Sequence, residues 1–305
     1  MNTFMNNKSW TVQGKYVVIT GATSGIGLAA ARELAIRGAN LGIVARDEAK
    51  ANEVAAQIKA MTGGRTTVDV FLADMASQQS IRQAAADILA VCPRVDVLIN
   101  NAGAMFVSRK LTDDGVEMTW AVNHLAPFLL TTLLLDRLKE SGHARVITTA
   151  SHSHKMAGKG IHFDDLHAER LYRFPQKSLG GPTIRYAETK LANILFTSEL
   201  ARRLQGTGVT AHCFDPGLVA TNFNSNNKGW SVRMTMAVMK LFSRSPEKGA
   251  ETMVWLADTE EISGQNGGYY TDMKLTKPSV PAESIEAAKR LWEISEEQTR
   301  FPKAD

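Results

Sequence analysis

Tyr186 and Lys190 stand four residues apart near the start of an apolar, helix-patterned run, Tyr186-Ala-Glu-Thr-Lys190. On a helix that spacing puts both side chains on one face, about one turn apart. A free phenol titrates near ~10 and a free lysine amine near ~10.4. Unit charges ~5 Å apart, at an effective dielectric of ~20, interact by roughly 3 kcal/mol. An ammonium at that range is expected to lower the phenol's pKa by about 2 units, giving an acid/base suited to neutral pH. The same spacing also arises on any amphipathic helix with a packed Tyr and a solvated Lys. What surrounds the pair has to decide between the two.

The nearest such surrounding begins at Lys15-Tyr-Val-Val-Ile-Thr20, a continuous apolar run with β-branched residues. It reads as a buried parallel strand. Thr20-Gly-Ala-Thr-Ser-Gly25-Ile-Gly27 follows at once, then a helical pattern with Ile26, Ala30 and Leu34 on one face. Strand, glycine turn and helix form the context of a dinucleotide-binding turn. The glycines let backbone approach a pyrophosphate at a helix N-terminus, where free N–H groups and the dipole attract anions. The spacing is G-x-x-x-G-x-G rather than the usual G-x-G-x-x-G. Gly21, Thr23, Ser24, Gly25, Ile26 and Gly27 are the candidate cradle. A turn kept only for packing is the plainer alternative.

The alternation continues. Strands are expected over residues 40–45, 68–72, 95–100, 145–149 and 209–214. Helices are expected over 47–61, 78–91, 115–140 (one or two) and 186–204. Strands alternating with helices imply crossovers and a parallel sheet covered on both faces. The expectation is an α/β, doubly wound parallel sheet in one domain over 14–305, after a tail over 1–13. A helical lid is expected at about 222–245 and a C-terminal helix at about 281–299.

The end of the second strand bears on the cofactor, since an acidic residue there takes ribose hydroxyls and an Arg accommodates a 2′-phosphate. Val44-Ala45-Arg46-Asp47 offers Arg46, able to pair with a phosphate, and Asp47 as a helix N-cap. Arg46 favours NADP over NAD. Asp74 with Met75 follows the third strand and is a candidate for the adenine; a turn-capping Asp is the alternative. Asn100-Asn101-Ala102-Gly103 ends the fourth strand, where ligands sit in such sheets. Asn123 lies inside an apolar helix and needs a partner there.

These residues, with Ser151, Tyr186, Lys190 and Asp215-Pro216-Gly217 followed by Val219 and Thr221, resemble the pattern of the short-chain dehydrogenases/reductases over residues 14–272. Val122-Asn-His-Leu-Ala-Pro-Phe-Leu-Leu130, Lys190-Leu-Ala-Asn-Ile-Leu-Phe196 and the long Ser151–Tyr186 interval resemble the retinol dehydrogenase-like branch. The resemblance implies a Rossmann-type fold and a set of roles. Tyr186 would exchange a proton with the substrate oxygen, and Lys190 would lower its pKa and hold the nicotinamide ribose. Ser151 would position the oxygen, with Ser153 a weaker candidate. Asn123 would hold a water linking Lys190 to solvent. Gly21, Asn101, Ala102, Gly103, Pro216, Gly217, Val219 and Thr221 would line the NADP site. Asp215 stands where Asn or His is more usual, and an anion there needs neutralising or solvating. Tyr186 lies 35 positions after Ser151, and the 34 residues between them must loop out.

Other features fit plainer readings. His152, His154, His162 and His167 cluster in that loop, but no cysteine or spaced third ligand makes them a metal site. Trp230, Met234, Ala237, Val238 and Leu241 form an apolar stripe, read as a lid over a bulky hydrophobic substrate. A membrane-surface helix is the less favoured alternative. The leucines from Leu129 to Leu135 make a helix apolar nearly all round, which buries it and leaves a surplus that could seat a homodimer. The segment Ala121–Leu135, broken by Asn123, His124 and Pro127, is expected to fall short of a membrane span.

Composition sets the outer bounds. With 305 residues and 44% hydrophobic content, the chain can build a full core. Net charge is +4 and the basic residues are dispersed, which gives no nucleic-acid footprint. Cys92 and Cys213 show no disulfide or metal spacing, and residues 1–10 lack a signal-peptide core. A cytoplasmic location is expected. The leading expectation is an NADP(H)-dependent oxidoreductase interconverting a hydrophobic alcohol and its aldehyde or ketone. The alternatives are an idle NADP-binding sensor or scaffold, which would be expected to lack Tyr186 or Lys190, and a nucleotide-sugar epimerase, which would carry a larger C-terminal domain.

Overall fold

The computed structural model describes residues 10–219 and 243–300. Thr221, the apolar stripe from Trp230 to Leu241 and nearly all of the expected lid lie outside the described residues. The sheet has eight strands in the order β3-β2-β1-β4-β5-β6-β7-β8. These are β1 Tyr16–Thr20, β2 Asn40–Ala45, β3 Val68–Leu72, β4 Val97–Asn100, β5 Ala144–Thr149, β6 Val209–Asp215, β7 Tyr269–Thr271 and β8 Lys274–Leu275. Pairing is parallel from β3 through β7, and β8 closes the edge antiparallel. The order reverses between β1 and β4, and a crevice for ligand opens beyond the strand ends at that point.

Helices cover both faces. On one side lie α1 Gly25–Ile36, α2 Glu48–Met61 and α6 Pro246–Asp258, sealed by Ile19, Leu34, Ile43, Ile58, Met253 and Leu256. On the other lie α3 Gln78–Val91, α4 Met118–Glu140 and α5 Gly181–Arg203, with α7 Ile285–Gln298 outside them. Phe128, Phe196 and Trp292 meet there, with ring centroids 5.0 to 6.0 Å apart.

Several boundaries moved for physical reasons. Residues 10–13 are part of the domain rather than of a tail. Val12 is fully buried, its N–H donates to Asp258 Oδ1 at 2.8 Å, and the Trp10 indole donates to Ala257 O at 2.7 Å. Asp47 does cap α2, accepting from Lys50 N at 3.0 Å. Helix α5 starts five residues before Tyr186, because Gly180 takes a left-handed turn and Pro182 sits in the first turn, a favoured place for proline. Helix α7 begins at Ile285 behind the Ser284 cap, while Val280–Glu283 forms a separate 3-10 turn. Helix α6, capped by Ser245 and burying Ala250, Met253, Val254 and Ala257 on one face, and the short strands β7 and β8 were not expected.

Helix α4 corrects the expectation for its segment. It is 23 residues long and holds an 18-residue window with a mean hydropathy of 1.3, enough by length and composition to cross a membrane. Yet 72% of that apolar window is buried inside the fold. Leu129, Leu130 and Leu134 are buried, and Leu133 and Leu135 pack partly against the same core, so little of the leucine face remains for a dimer seam.

Candidate active site

Three strand ends and two helices converge on Tyr186. Helix α5 carries Tyr186 and Lys190 one turn apart, with the Lys190 ammonium 5.6 Å from the Tyr186 ring centre. Ser151 follows β5, near enough for its hydroxyl to act on the Tyr186 phenol, while its Oγ donates to Ser153 Oγ and accepts from Ser153 N, both at 3.1 Å. Lys190 Nζ donates to Thr149 O at 2.9 Å, and Asn193 Nδ2 donates to the same carbonyl at 3.1 Å. Asn123 sits in a wider π-helical turn, Ala121–Leu125, within α4, a distortion common at functional sites.

The Asn123 side chain is engaged differently from what the resemblance implies. Its Nδ2 donates to Ala104 O at 2.8 Å and Thr189 Oγ1 at 3.1 Å, and its Oδ1 accepts from Ala104 N at 2.8 Å. Thr189 Oγ1 in turn donates to Tyr186 O at 2.7 Å. Asn123 therefore ties the strand-end loop of β4 to the helix that carries Tyr186. Gly103 keeps the space between Asn123 and Lys190 open. A Cβ there would stand 3.2 Å from Asn123 Oδ1 and 3.7 Å from Lys190 Nζ.

Burial dominates the electrostatics of the pair. Burial pushes Tyr186 well above its ordinary range, the Asp215 carboxylate adds to this, and the Ser151 hydrogen bond opposes it. Burial pulls Lys190 down to about 8, with Asp215 opposing. The ammonium is anchored on the Thr149 carbonyl, 5.6 Å from the centre of the phenol ring. Asp215 itself accepts from the Gly217 N–H at 2.9 Å, with His152 Nδ1 3.8 Å away.

The cofactor candidates gather at the β1–α1 turn and its neighbours. Gly21 and Gly25 take left-handed backbone at φ 70 and 56. A Cβ on Gly27 would stand 2.3 Å from Gly21 O, so the turn closes only on glycine. Ser24 occupies the N-cap of α1 without a capping hydrogen bond, and no acidic residue stands in the first turn. The α1 N-terminus is thus open to an anion. Ile26 and Val219 both face Gly249, where a Cβ would meet them at 2.8 and 2.6 Å. Arg46 is exposed at the end of β2, and among the described residues no acceptor is bonded to its guanidinium. Gly217 takes φ 75 beside Arg244.

Three of the predicted contacts have structural work already. Asn101 Nδ2 donates to Thr20 O at 3.0 Å, while Asn101 N and Ala102 N both donate to Thr20 Oγ1, at 2.9 and 3.0 Å. Asp74 Oδ1 accepts from Ala76 N at 2.9 Å, the turn-capping reading. Met75 packs partly against the core.

A model of the family described as short chain dehydrogenase matches residues 15–162. Mouse retinol dehydrogenase 12 is 41% identical over 284 residues, covering 93% of this chain and 86% of its own. Human retinol dehydrogenase 13 is 41% identical over 286 residues, covering 92% and 83%. The chain belongs to the short-chain dehydrogenase/reductase family. Its relatives place it in the retinol dehydrogenase-like branch. Among solved structures, an uncharacterised protein from Mycobacterium paratuberculosis matches with a TM-score of 0.73 at 32% identity, covering 96% of each chain. A short-chain dehydrogenase from Burkholderia cenocepacia, solved in complex with NADP, matches at 0.64 and 26% identity, covering 86% and 97%.

The loop between Ser151 and Tyr186 is built onto the family's frame by residues that sequence reasoning passed over. Arg185, fully buried, donates from Nε to Glu117 Oε2 at 2.9 Å, from Nη1 to Glu188 Oε2 at 3.0 Å, and from Nη2 to Leu166 O. Glu117 also caps α4, accepting from Thr119 N and Trp120 N at 2.9 and 3.0 Å. Tyr172 donates to Phe106 O at 2.9 Å, and His162 hydrogen-bonds Glu188. His154 donates from Nδ1 to Ser151 O at 2.7 Å and accepts at Nε2 from Ser279 N at 3.1 Å. That histidine is neutral, with burial pulling its pKa down, and it fixes the backbone of the serine. The one sequence signal for this network was the Arg185/Glu188 spacing beside Tyr186.

Proposed function

We propose that this member of the family is an NADP(H)-dependent oxidoreductase that interconverts a hydrophobic alcohol and its aldehyde or ketone, working chiefly as a carbonyl reductase. The observation that carries it is the placing of Tyr186 one helical turn from Lys190, whose Nζ is held by Thr149 O at the strand end that Ser151 follows. When bound, NADP(H) supplies or accepts the hydride. Tyr186 gives its hydroxyl proton to the substrate oxygen in reduction and takes one in oxidation. Ser151 donates a hydrogen bond to that oxygen and fixes its place. Lys190, held by Thr149 O, keeps a positive charge near the phenol as it loses its proton. Burial keeps the Tyr186 hydroxyl in its protonated form, the form that reduction calls on.

Support for NADP comes from exposed Arg46 at the end of β2 and from the NADP named with the Burkholderia cenocepacia structure. Support for an apolar substrate comes from the retinol in the names of the relatives. The buried free thiols of Cys92 and Cys213 suit a reducing compartment, and a cytoplasmic location completes the proposal. The test is NADPH oxidation with a panel of apolar aldehydes and ketones. Turnover that disappears in Tyr186→Phe supports the reading. Tight NADPH binding without turnover across the panel would replace it with an idle nucleotide-binding protein.

A further inference from the structure

Thr149 is the last residue of β5, and its carbonyl is held from a helix rather than from the sheet. The β4–β5 register pairs Ile99 with Ile147 and Asn100 with Thr148. One more step of that parallel ladder would bring Ala102 N to Thr149 O. Ala102 N is turned instead to Thr20 Oγ1, at 3.0 Å. The sheet therefore gives up the Thr149 carbonyl where the chain leaves β4 for the crevice. Two side chains of α5 take it over. Lys190 Nζ donates to it at 2.9 Å and Asn193 Nδ2 at 3.1 Å. Thr149, Lys190 and Asn193 are all buried.

We propose that Asn193 is a positioning residue for Lys190: by holding the Thr149 carbonyl through its second lone pair, it fixes the acceptor on which the ammonium is seated, and so where that charge stands relative to Tyr186. This rests on the oxidoreductase reading for its effect on turnover, and on the hydrogen bonds alone for the place of Lys190. A carbonyl oxygen accepts two hydrogen bonds. An ammonium on a flexible four-carbon stem has no direction of its own and goes where its acceptor is. The amide three residues on, along the same face of α5, is shorter and is itself held. Its far end lies near enough to act on the His124 ring. That ring is fixed by Ser295 Oγ, 2.8 Å from Nε2, and packs against Phe196 with centroids 6.4 Å apart. Thr189, Asn193 and Phe196 succeed one another on one face of α5, and the π-helical turn of α4 meets that face at both ends, Asn123 on Thr189 and His124 on Phe196. Support for the seat of Lys190 therefore reaches back through Asn193 and His124 to Ser295 on α7.

Asn193→Leu, an apolar side chain of similar size, is the test in the full chain. A neutral hydrogen bond is worth a factor of roughly two to ten, so kcat/KM for NADPH-dependent reduction should fall by that much. The same substitution made in Lys190→Met should cost nothing further, because the group that Asn193 positions is already gone. Single-turnover measurements at high enzyme concentration read the slow variants. Equal losses in both backgrounds would overturn the proposal, since Asn193 would then act through the fold and not through Lys190. A second reading needs no turnover. In a crystal structure of the Leu variant, Lys190 Nζ should stand beyond ~3.5 Å from Thr149 O. A lysine still seated on that carbonyl would overturn the proposal as well. If wild type reduces no carbonyl, the enzymatic reading fails while the place of Lys190 in the variant still decides the role of Asn193. Asn193→Ala makes the same deletion should the Leu variant not fold.

Discussion

Lys190 stands 5.6 Å from the centre of the Tyr186 ring but donates its hydrogen bond, 2.9 Å long, to the backbone of Thr149. The ammonium is therefore anchored to the end of β5 rather than to the phenol. Its charge reaches Tyr186 through space, and its position depends on the sheet.

Removing the hydroxyl from Tyr186 should abolish proton transfer while leaving the crevice in shape. Tyr186→Phe is expected to lower kcat for reduction by about 10²–10⁴-fold, with NADPH affinity within a few-fold of wild type. Steady-state kinetics beside a fluorescence titration of NADPH separate the two. Retained turnover would show that another group carries the proton.

Arg46 should set the preference between the two nicotinamide cofactors. A charged hydrogen bond to phosphate is worth about 1.5–3 kcal/mol, so Arg46→Ala should weaken NADPH binding by roughly 10- to 150-fold and leave NADH binding unchanged. Calorimetric titration with both cofactors reads the difference. Equal losses for both would assign Arg46 a general role at the surface.

The buried network beneath Tyr186 predicts a stability effect. Arg185→Met strands the carboxylates of Glu117 and Glu188, both fully buried. Loss of one partner from such a group costs about 3–5 kcal/mol. Urea unfolding should show a fall in midpoint with little change in slope. Gly181→Ala strikes the same junction by another route, since its Cβ would stand 1.8 Å from Leu171 O. It should destabilise the start of α5 even though alanine favours helices.

Acid should destabilise the fold through two histidines. Burial pulls His124 down to about 3, helped by the Arg185 charge, and pulls His212 down to about 4, helped by Arg145. The unfolded chain takes up these protons near pH ~6.5, and the folded chain only well below it. The stability from the neutral rings is complete above ~6.5, falls as pH drops through the interval to about 4 for His212 and about 3 for His124, and then levels off. Unfolding free energy measured against pH should slope less steeply over that interval in His212→Gln than in wild type. Identical slopes would remove His212 from the account.

Most of the alternating pattern was legible because buried parallel strands are continuous apolar runs and their helices carry a clean stripe. Tyr186 and Lys190 were legible because a helix brings residues four apart together. The early start of α5 was not, since Gly181 and Pro182 look like loop until the cap is seen. Helix α6 was legible from its Ser245 cap, first-turn Pro246 and apolar stripe and was passed over; the short edge strands β7 and β8, three and two residues long, depend on their neighbours more than on their own pattern.

The sequence by itself determined the doubly wound order, the glycine turn and the types of residue at the acid/base site, since these follow from local periodicity and backbone geometry. Only the tertiary structure decided how charge is arranged there. It brought Ser151 back toward Tyr186 across the 34 residues between them, anchored Lys190 on Thr149, and buried Asp215 at the end of β6. A pKa depends on burial and on charges distant in the chain, and neither can be read from spacing along it.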